Sequence, residues 1–113
     1  MTLFQLASFA VLTGFVGMML LLPLGILASH RLHRRLRTAH PQVWEELGSP
    51  HLVMNNTPRN VLALRRWTRQ RRYEALNDPV LDALVARDRS LGRVHMTLFA
   101  LTAAAFAVAA VSR

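Results

Sequence analysis

Residues 2–29 form an apolar stretch without a charged residue, and the stretch breaks into a basic segment at His30. About 27 apolar residues in a helix reach beyond the ~30 Å hydrocarbon core of a bilayer. A second apolar stretch, residues 94–111, is just long enough to cross the same core. The first stretch is too long for a signal-peptide h-region, and no basic residue precedes it. The pattern therefore predicts two permanent membrane helices.

The segment between these stretches contains the residues that begin and end helices. Pro41 is placed to open a short helix that Gly48 closes. Thr57 should cap a longer helix that reaches about Leu76, and Asp78 should cap a last helix that runs into the second apolar stretch. Turn-forming residues lie between them at 49–51 and 55–57. No strand-like alternation of useful length occurs, so the prediction is helical throughout.

The predicted fold is an all-α membrane protein in which two transmembrane helices form an antiparallel hairpin around a small helical insert. Its boundaries are residues 1–29 for the first transmembrane helix, 30–93 for the arginine-rich cytoplasmic insert and 94–113 for the second transmembrane helix.

Small residues recur at three-four spacing on both predicted spans, and such rows let membrane helices approach closely. The predicted packing positions are Ala7, Ala10, Gly14 and Gly17 on the first span and Ala100, Ala103, Ala107 and Ala110 on the second. We expect these rows to pack against each other in the hairpin. A homo-oligomer that uses either row is the alternative.

The distribution of charged residues predicts how the chain is oriented across the membrane. The formal net charge is +8, from 14 basic and 6 acidic residues, and every basic residue is arginine. Arginines flank both apolar stretches on the side of the insert, where the positive-inside bias acts. We therefore expect the insert in the cytoplasm, both termini in the periplasm, and the protein in the bacterial inner membrane.

The densest basic cluster is the segment 65–73, in which arginines alternate with Trp67 and Tyr73. Near a membrane surface it would meet anionic headgroups, each arginine contributing about 1 kcal/mol. The predicted contacts with anionic lipid or a partner are Arg31, Arg34, Arg35, Arg65, Arg66, Trp67, Arg69, Arg71 and Arg72. Two alternatives stay open. One is a solvated face paired with the acidic residues, and the other is a membrane tether for nucleic acid, which no recognised motif supports.

Candidate chemistry is sparse. His30 ends the first span and His95 begins the second, so the pair could ligate haem b in a haem- or quinone-adjacent anchor of a respiratory complex. The position of both histidines is also explained if they are polar groups at the membrane interface. We therefore expect that the protein binds no cofactor. The chain has no cysteine, which excludes disulfides and thiolate catalysis in it. We found no catalytic set and predict a non-enzyme.

Three short segments carry a resemblance to a known group. They are residues 40–48 (HPQVWEELG), 55–58 (NNTP) and 72–79 (RYEALNDP). These segments lie in this order between two apolar spans. In this arrangement the chain resembles small uncharacterised bacterial two-span membrane proteins that are similar to universal stress protein B. The resemblance implies a two-span inner-membrane protein associated with stationary phase, and it implies no catalytic or ligand-binding residues. The alanine-rich second span and the missing cysteine depart from that group.

Together these features predict a non-enzymatic integral membrane protein that acts by association. The expected partners are a bilayer with anionic headgroups and either other membrane subunits or further copies of the chain. The expected role is that of an accessory or structural subunit of a larger membrane complex, or of a self-associating, stress-related membrane protein.

Overall fold

The computed structural model of the protein describes residues 1–50 and 57–113, and every regular element in these ranges is helical. The elements are α1 (Leu3–Ala39), α2 (Pro41–Glu46), α3 (Pro58–Arg69), a 3₁₀ helix (Arg72–Leu76) and α4 (Pro79–Val111). The predicted all-α class is therefore confirmed. The predicted turn residues His51, Asn55 and Asn56 lie outside the described residues.

The helix boundaries follow the capping residues, as predicted. Pro41 stands at the start of α2, where its missing N–H costs nothing. Gly48 follows α2 with φ +93°, a conformation that glycine adopts without a Cβ penalty. Thr57 caps α3, because its hydroxyl accepts a 3.2 Å hydrogen bond from the Asn60 N–H. Local chemistry alone fixes these ends.

The helix that begins at Thr57 is shorter than predicted. It was expected to reach about Leu76, but α3 ends at Arg69 and a 3₁₀ helix follows. The break lies at Arg71, whose φ of 55° is left-handed. On one continuous helix Trp67 and Tyr73 would point about 120° apart, since each residue turns the helix by about 100°. The break lets both rings enter the protein interior, where their centroids are 5.9 Å apart.

The chain divides into two compact units. Unit 1 contains Met1–Gly25 and Ser90–Arg113, and therefore holds the apolar ends of α1 and α4. Both helices are long and apolar enough to cross a membrane, and almost none of their most apolar stretches is buried. Within unit 1 the two helices meet at Gly14, where an added Cβ would overlap the Thr102 hydroxyl. Small size at residue 14 is thus a requirement of this contact.

Unit 2 is Ile26–Arg89, and it contains the hydrophobic core. Leu32 and Leu36, one turn apart on α1, are fully buried, as are Leu81 and Val85 on α4. The remaining members of the core are Leu47, Trp67 and Tyr73. Burying a leucine or valine side chain stabilises a fold by about 1.5–3 kcal/mol. The core therefore holds the end of α1, the short helices and the start of α4 together.

Candidate functional site

The most concentrated polar structure in unit 2 is built around Asp78, the residue that precedes α4. Its Oδ1 accepts hydrogen bonds from the N–H groups of Val80 (3.1 Å) and Leu81 (3.2 Å). The carboxylate thus caps the helix as predicted, and its negative charge lies at the positive end of the helix dipole. Only 6% of the residue is exposed. A buried carboxylate of this kind needs further partners, and the structure supplies them.

Arg35 of α1 and His40, which follows that helix, complete the coordination of Asp78. The guanidinium donates from Nε to Oδ2 at 2.9 Å and from Nη2 to Oδ1 at 3.0 Å. His40 Nε2 lies 2.7 Å from the same Oδ2. We call these three residues the Asp78 cluster. The bidentate fork is the strongest common geometry for an arginine–carboxylate pair, and here it joins α1 to the start of α4.

The Asp78 cluster fixes the charge of its carboxylate. Hydrogen bonds from Arg35 and then from His40 hold the pKa of Asp78 well below its usual range, against the opposing effect of burial. A carboxylate that stays ionised and whose two oxygens are both occupied by donors is poorly suited to accept or deliver a proton in catalysis. The geometry is that of a structural joint between helices.

The predicted contact arginines divide into two groups. Arg31, Arg34, Arg65, Arg66, Arg69, Arg71 and Arg72 are exposed. Arg35 differs from them because its guanidinium group is paired with the Asp78 carboxylate. Arg71 makes a single exposed ion pair with Glu74 at 3.4 Å, which contributes little in water. An exposed set of arginines therefore remains on unit 2.

Trp67 does not lie with these arginines. It is 7% exposed and packs in the core against Tyr73, which is 8% exposed. The Trp67 ring is therefore buried in the protein interior and does not share a surface with the exposed arginines. The other tryptophan, Trp44, is half-buried beside the same core and donates to the Pro50 carbonyl at 3.2 Å.

The predicted packing positions on the two long helices differ in how far they are buried. On α1, Ala7 and Gly14 are buried and Gly17 is half-buried, whereas Ala10 is exposed. On α4, the buried or half-buried positions of unit 1 are Leu91, His95, Leu98, Thr102, Ala105 and Ala109. The four alanines predicted on this helix, Ala100, Ala103, Ala107 and Ala110, are all exposed. They leave a smooth apolar face outside the contact with α1.

The predicted haem ligands fall in different units. His30 is exposed and belongs to unit 2, whereas His95 is half-buried and belongs to unit 1. Among the described residues no group of three or more histidine, aspartate or glutamate side chains is arranged to hold a metal ion. Haem ligation by the two histidines stays an untested alternative to the expectation of no cofactor.

Comparison with known proteins gives no relative from which a function could be transferred. No protein-family model matches the chain, and no curated protein or solved structure matches it. The resemblance to proteins similar to universal stress protein B therefore stays a prediction.

From the sequence, roles were predicted for Asp78 and Arg35 separately, no role was predicted for His40, and the three residues were not predicted to form a cluster. Asp78 was predicted as a helix cap and Arg35 as a lipid or partner contact, and the pair is separated by 43 residues. One local feature indicated that Asp78 has a partner. It caps a helix whose first turn contains the apolar residue Leu81, and an ionised carboxylate in apolar surroundings needs a hydrogen-bonding partner. The sequence offers 14 arginines as that partner, so it could not choose among them.

Proposed function

We propose that the chain is a non-enzymatic integral protein of the bacterial inner membrane that acts by association. The carrying observation is the exposure of large apolar side chains on both long helices. Phe9 is 63% exposed, Leu20 71% and Phe106 65%. A soluble monomer rarely exposes a large contiguous apolar surface, whereas lipid chains cover one without cost. Membrane insertion accounts for this surface on both helices.

In this proposal α1 and α4 form an antiparallel transmembrane hairpin. The close approach of Gly14 and Thr102 supports direct contact between the two helices, and small residues are typical of such contacts in membranes. The arginine-rich segment 30–93 lies in the cytoplasm and both termini lie in the periplasm, as the positive-inside bias favours.

The topology can be tested with single cysteines, because the chain has none of its own. Thr2→Cys and Ser112→Cys should react with a membrane-impermeant maleimide in intact spheroplasts. Gln70→Cys, which is exposed on unit 2, should react only after lysis. Labelling of Gln70→Cys before lysis, or protection of both terminal positions, would contradict the proposed orientation.

Association is the proposed activity because the small residues Ala100, Ala103, Ala107 and Ala110 are exposed on α4, where a further membrane helix could approach closely, and because unit 2 presents exposed arginines. The role is that of an accessory subunit of a larger membrane complex or of a self-associating membrane protein. Extraction of the tagged chain in nanodiscs, followed by native mass spectrometry, should recover it either in fixed ratio with other subunits or as a homo-oligomer. Recovery as a monomer without lipid preference would refute association.

A further inference from the structure

Helix α3 carries a basic surface that is fixed in place by the core. Its inner side holds Trp67 in the interior and packs Leu64 against the core. On the opposite side, four exposed residues at helical spacing form one stripe: Leu62, Arg65, Arg66 and Arg69. We call this stripe the outer face of α3. Because the inner side is anchored, the helix cannot rotate to hide the stripe.

The charge of the outer face is largely unneutralised. Arg65 lies close enough to Asp88 to interact with its charge. Arg66 and Arg69 make no ion pair with any carboxylate in residues 1–50 and 57–113. Arg65 and Arg69 are also four residues apart, so their like charges repel each other on the helix. An anionic partner surface would relieve this repulsion.

The composition of the outer face distinguishes among anionic partners. Leu62 is 59% exposed and stands among the arginines, as apolar residues do in helices that lie at a membrane surface. A single-stranded nucleic acid would instead be gripped by aromatic rings on which bases stack. Both nearby rings, Trp67 and Tyr73, are buried in the core. The chemistry therefore matches phospholipid headgroups better than nucleic acid.

We infer that the outer face of α3 binds the surface of a bilayer that contains anionic phospholipids. The arginines contact the headgroup phosphates and Leu62 enters the boundary with the acyl chains. This inference rests on the proposed membrane insertion, which keeps a bilayer surface at high local concentration near α3. It adds a lipid preference that membrane insertion alone does not require.

The test uses the full-length chain with a single cysteine, Val61→Cys, labelled with an environment-sensitive fluorophore. Val61 borders the outer face and is partly exposed. The labelled protein is reconstituted in nanodiscs of phosphatidylcholine alone and in nanodiscs that also contain phosphatidylglycerol. We expect a blue-shifted emission only with phosphatidylglycerol, and loss of this shift at high salt because the headgroup contacts are screened.

Two variants with the same loss of charge test the location. In R65Q/R66Q/R69Q the shift should disappear at a phosphatidylglycerol content that saturates the parent, since each arginine near the surface is worth about a fivefold change in binding. In R37Q/R87Q/R113Q, which neutralises three exposed arginines outside the predicted lipid contacts, the shift should persist. Far-ultraviolet circular dichroism should be equal for both variants because all six positions are exposed.

Three results would overturn the inference. They are equal emission in the two kinds of nanodisc, equal loss of the shift in both variants, and a shift produced by a single-stranded oligonucleotide but not by phosphatidylglycerol. Failure of the proposed function is distinguishable, because the protein would then not co-elute with nanodiscs of either composition. Co-elution with both kinds of disc and no difference in emission would refute the lipid preference alone.

Discussion

Replacing Leu81 with alanine removes a fully buried side chain from the core of unit 2. The change deletes roughly three methylene equivalents, or about 2.4 kcal/mol of transfer free energy at ~0.8 kcal/mol each. The residual cavity adds to this cost, and buried leucine-to-alanine changes typically total about 2–5 kcal/mol. Leu76 and Leu84 are only partly buried beside the core and can partly close the cavity. We therefore expect a loss of about 3 kcal/mol.

The assay is urea unfolding in mild detergent, followed by tryptophan fluorescence. Both tryptophans, Trp44 and Trp67, lie in unit 2, so the signal reports this unit. With a urea dependence of about 1 kcal/mol/M, Leu81→Ala should lower the midpoint by about 3 M or leave the unit unfolded without urea. Leu62→Ala is the matched control, because that leucine is 59% exposed. Equal midpoints for the two variants would refute the reasoning.

Three further predictions concern polar and glycine positions. The native pKa of Asp78 is lowered, so its contribution to stability should be present above pH ~3.9 and be lost as the pH falls toward the native pKa. Asp78→Asn should abolish this acid-dependent loss in fluorescence-monitored unfolding, and an unchanged pH profile would contradict it. Gly14→Ala should destabilise by about 1–3 kcal/mol, because its Cβ overlaps the Thr102 hydroxyl, whereas the Cβ of Gly25→Ala meets nothing within 4 Å and this variant should melt near the parent temperature in circular dichroism. Gly48→Ala should cost about 1–3 kcal/mol, because φ is +93° and the Cβ overlaps a facing amide side chain, and a melting temperature equal to the parent's would argue against this strain.

The features that could be predicted from the sequence are those that depend on local chemistry. The long apolar helices follow from uninterrupted apolar stretches, and Thr57 and Asp78 cap helices because the first free N–H groups lie within reach of their side chains. The end of α3 could not be predicted in this way. The left-handed conformation at Arg71 has no local advantage for an arginine, and it is stabilised by the burial of Tyr73 against Trp67.

The contact face of α4 was hard to predict for a different reason. Alanines occupy almost every side of the helix between residues 100 and 110, so several rows fit the same three-four spacing. The structure uses the row that contains Thr102 and leaves the row that contains Ala103 exposed. The Asp78 cluster was missed because a pairing across 43 residues has no local signal. Two of its members, Arg35 and Asp78, were singled out for other reasons, but their pairing depends on the fold of unit 2.

The pairing of Arg35 with Asp78 also sets an order for biogenesis. When Arg35 is added to the growing chain, its partner is still 43 residues from synthesis. At about 5–20 residues per second, this delay lasts about 2–9 s. During that time Leu32 and Leu36 lack the α4 side chains that cover them in the finished core. The end of the first helix therefore stays without its core partners until the start of the last helix has been synthesised.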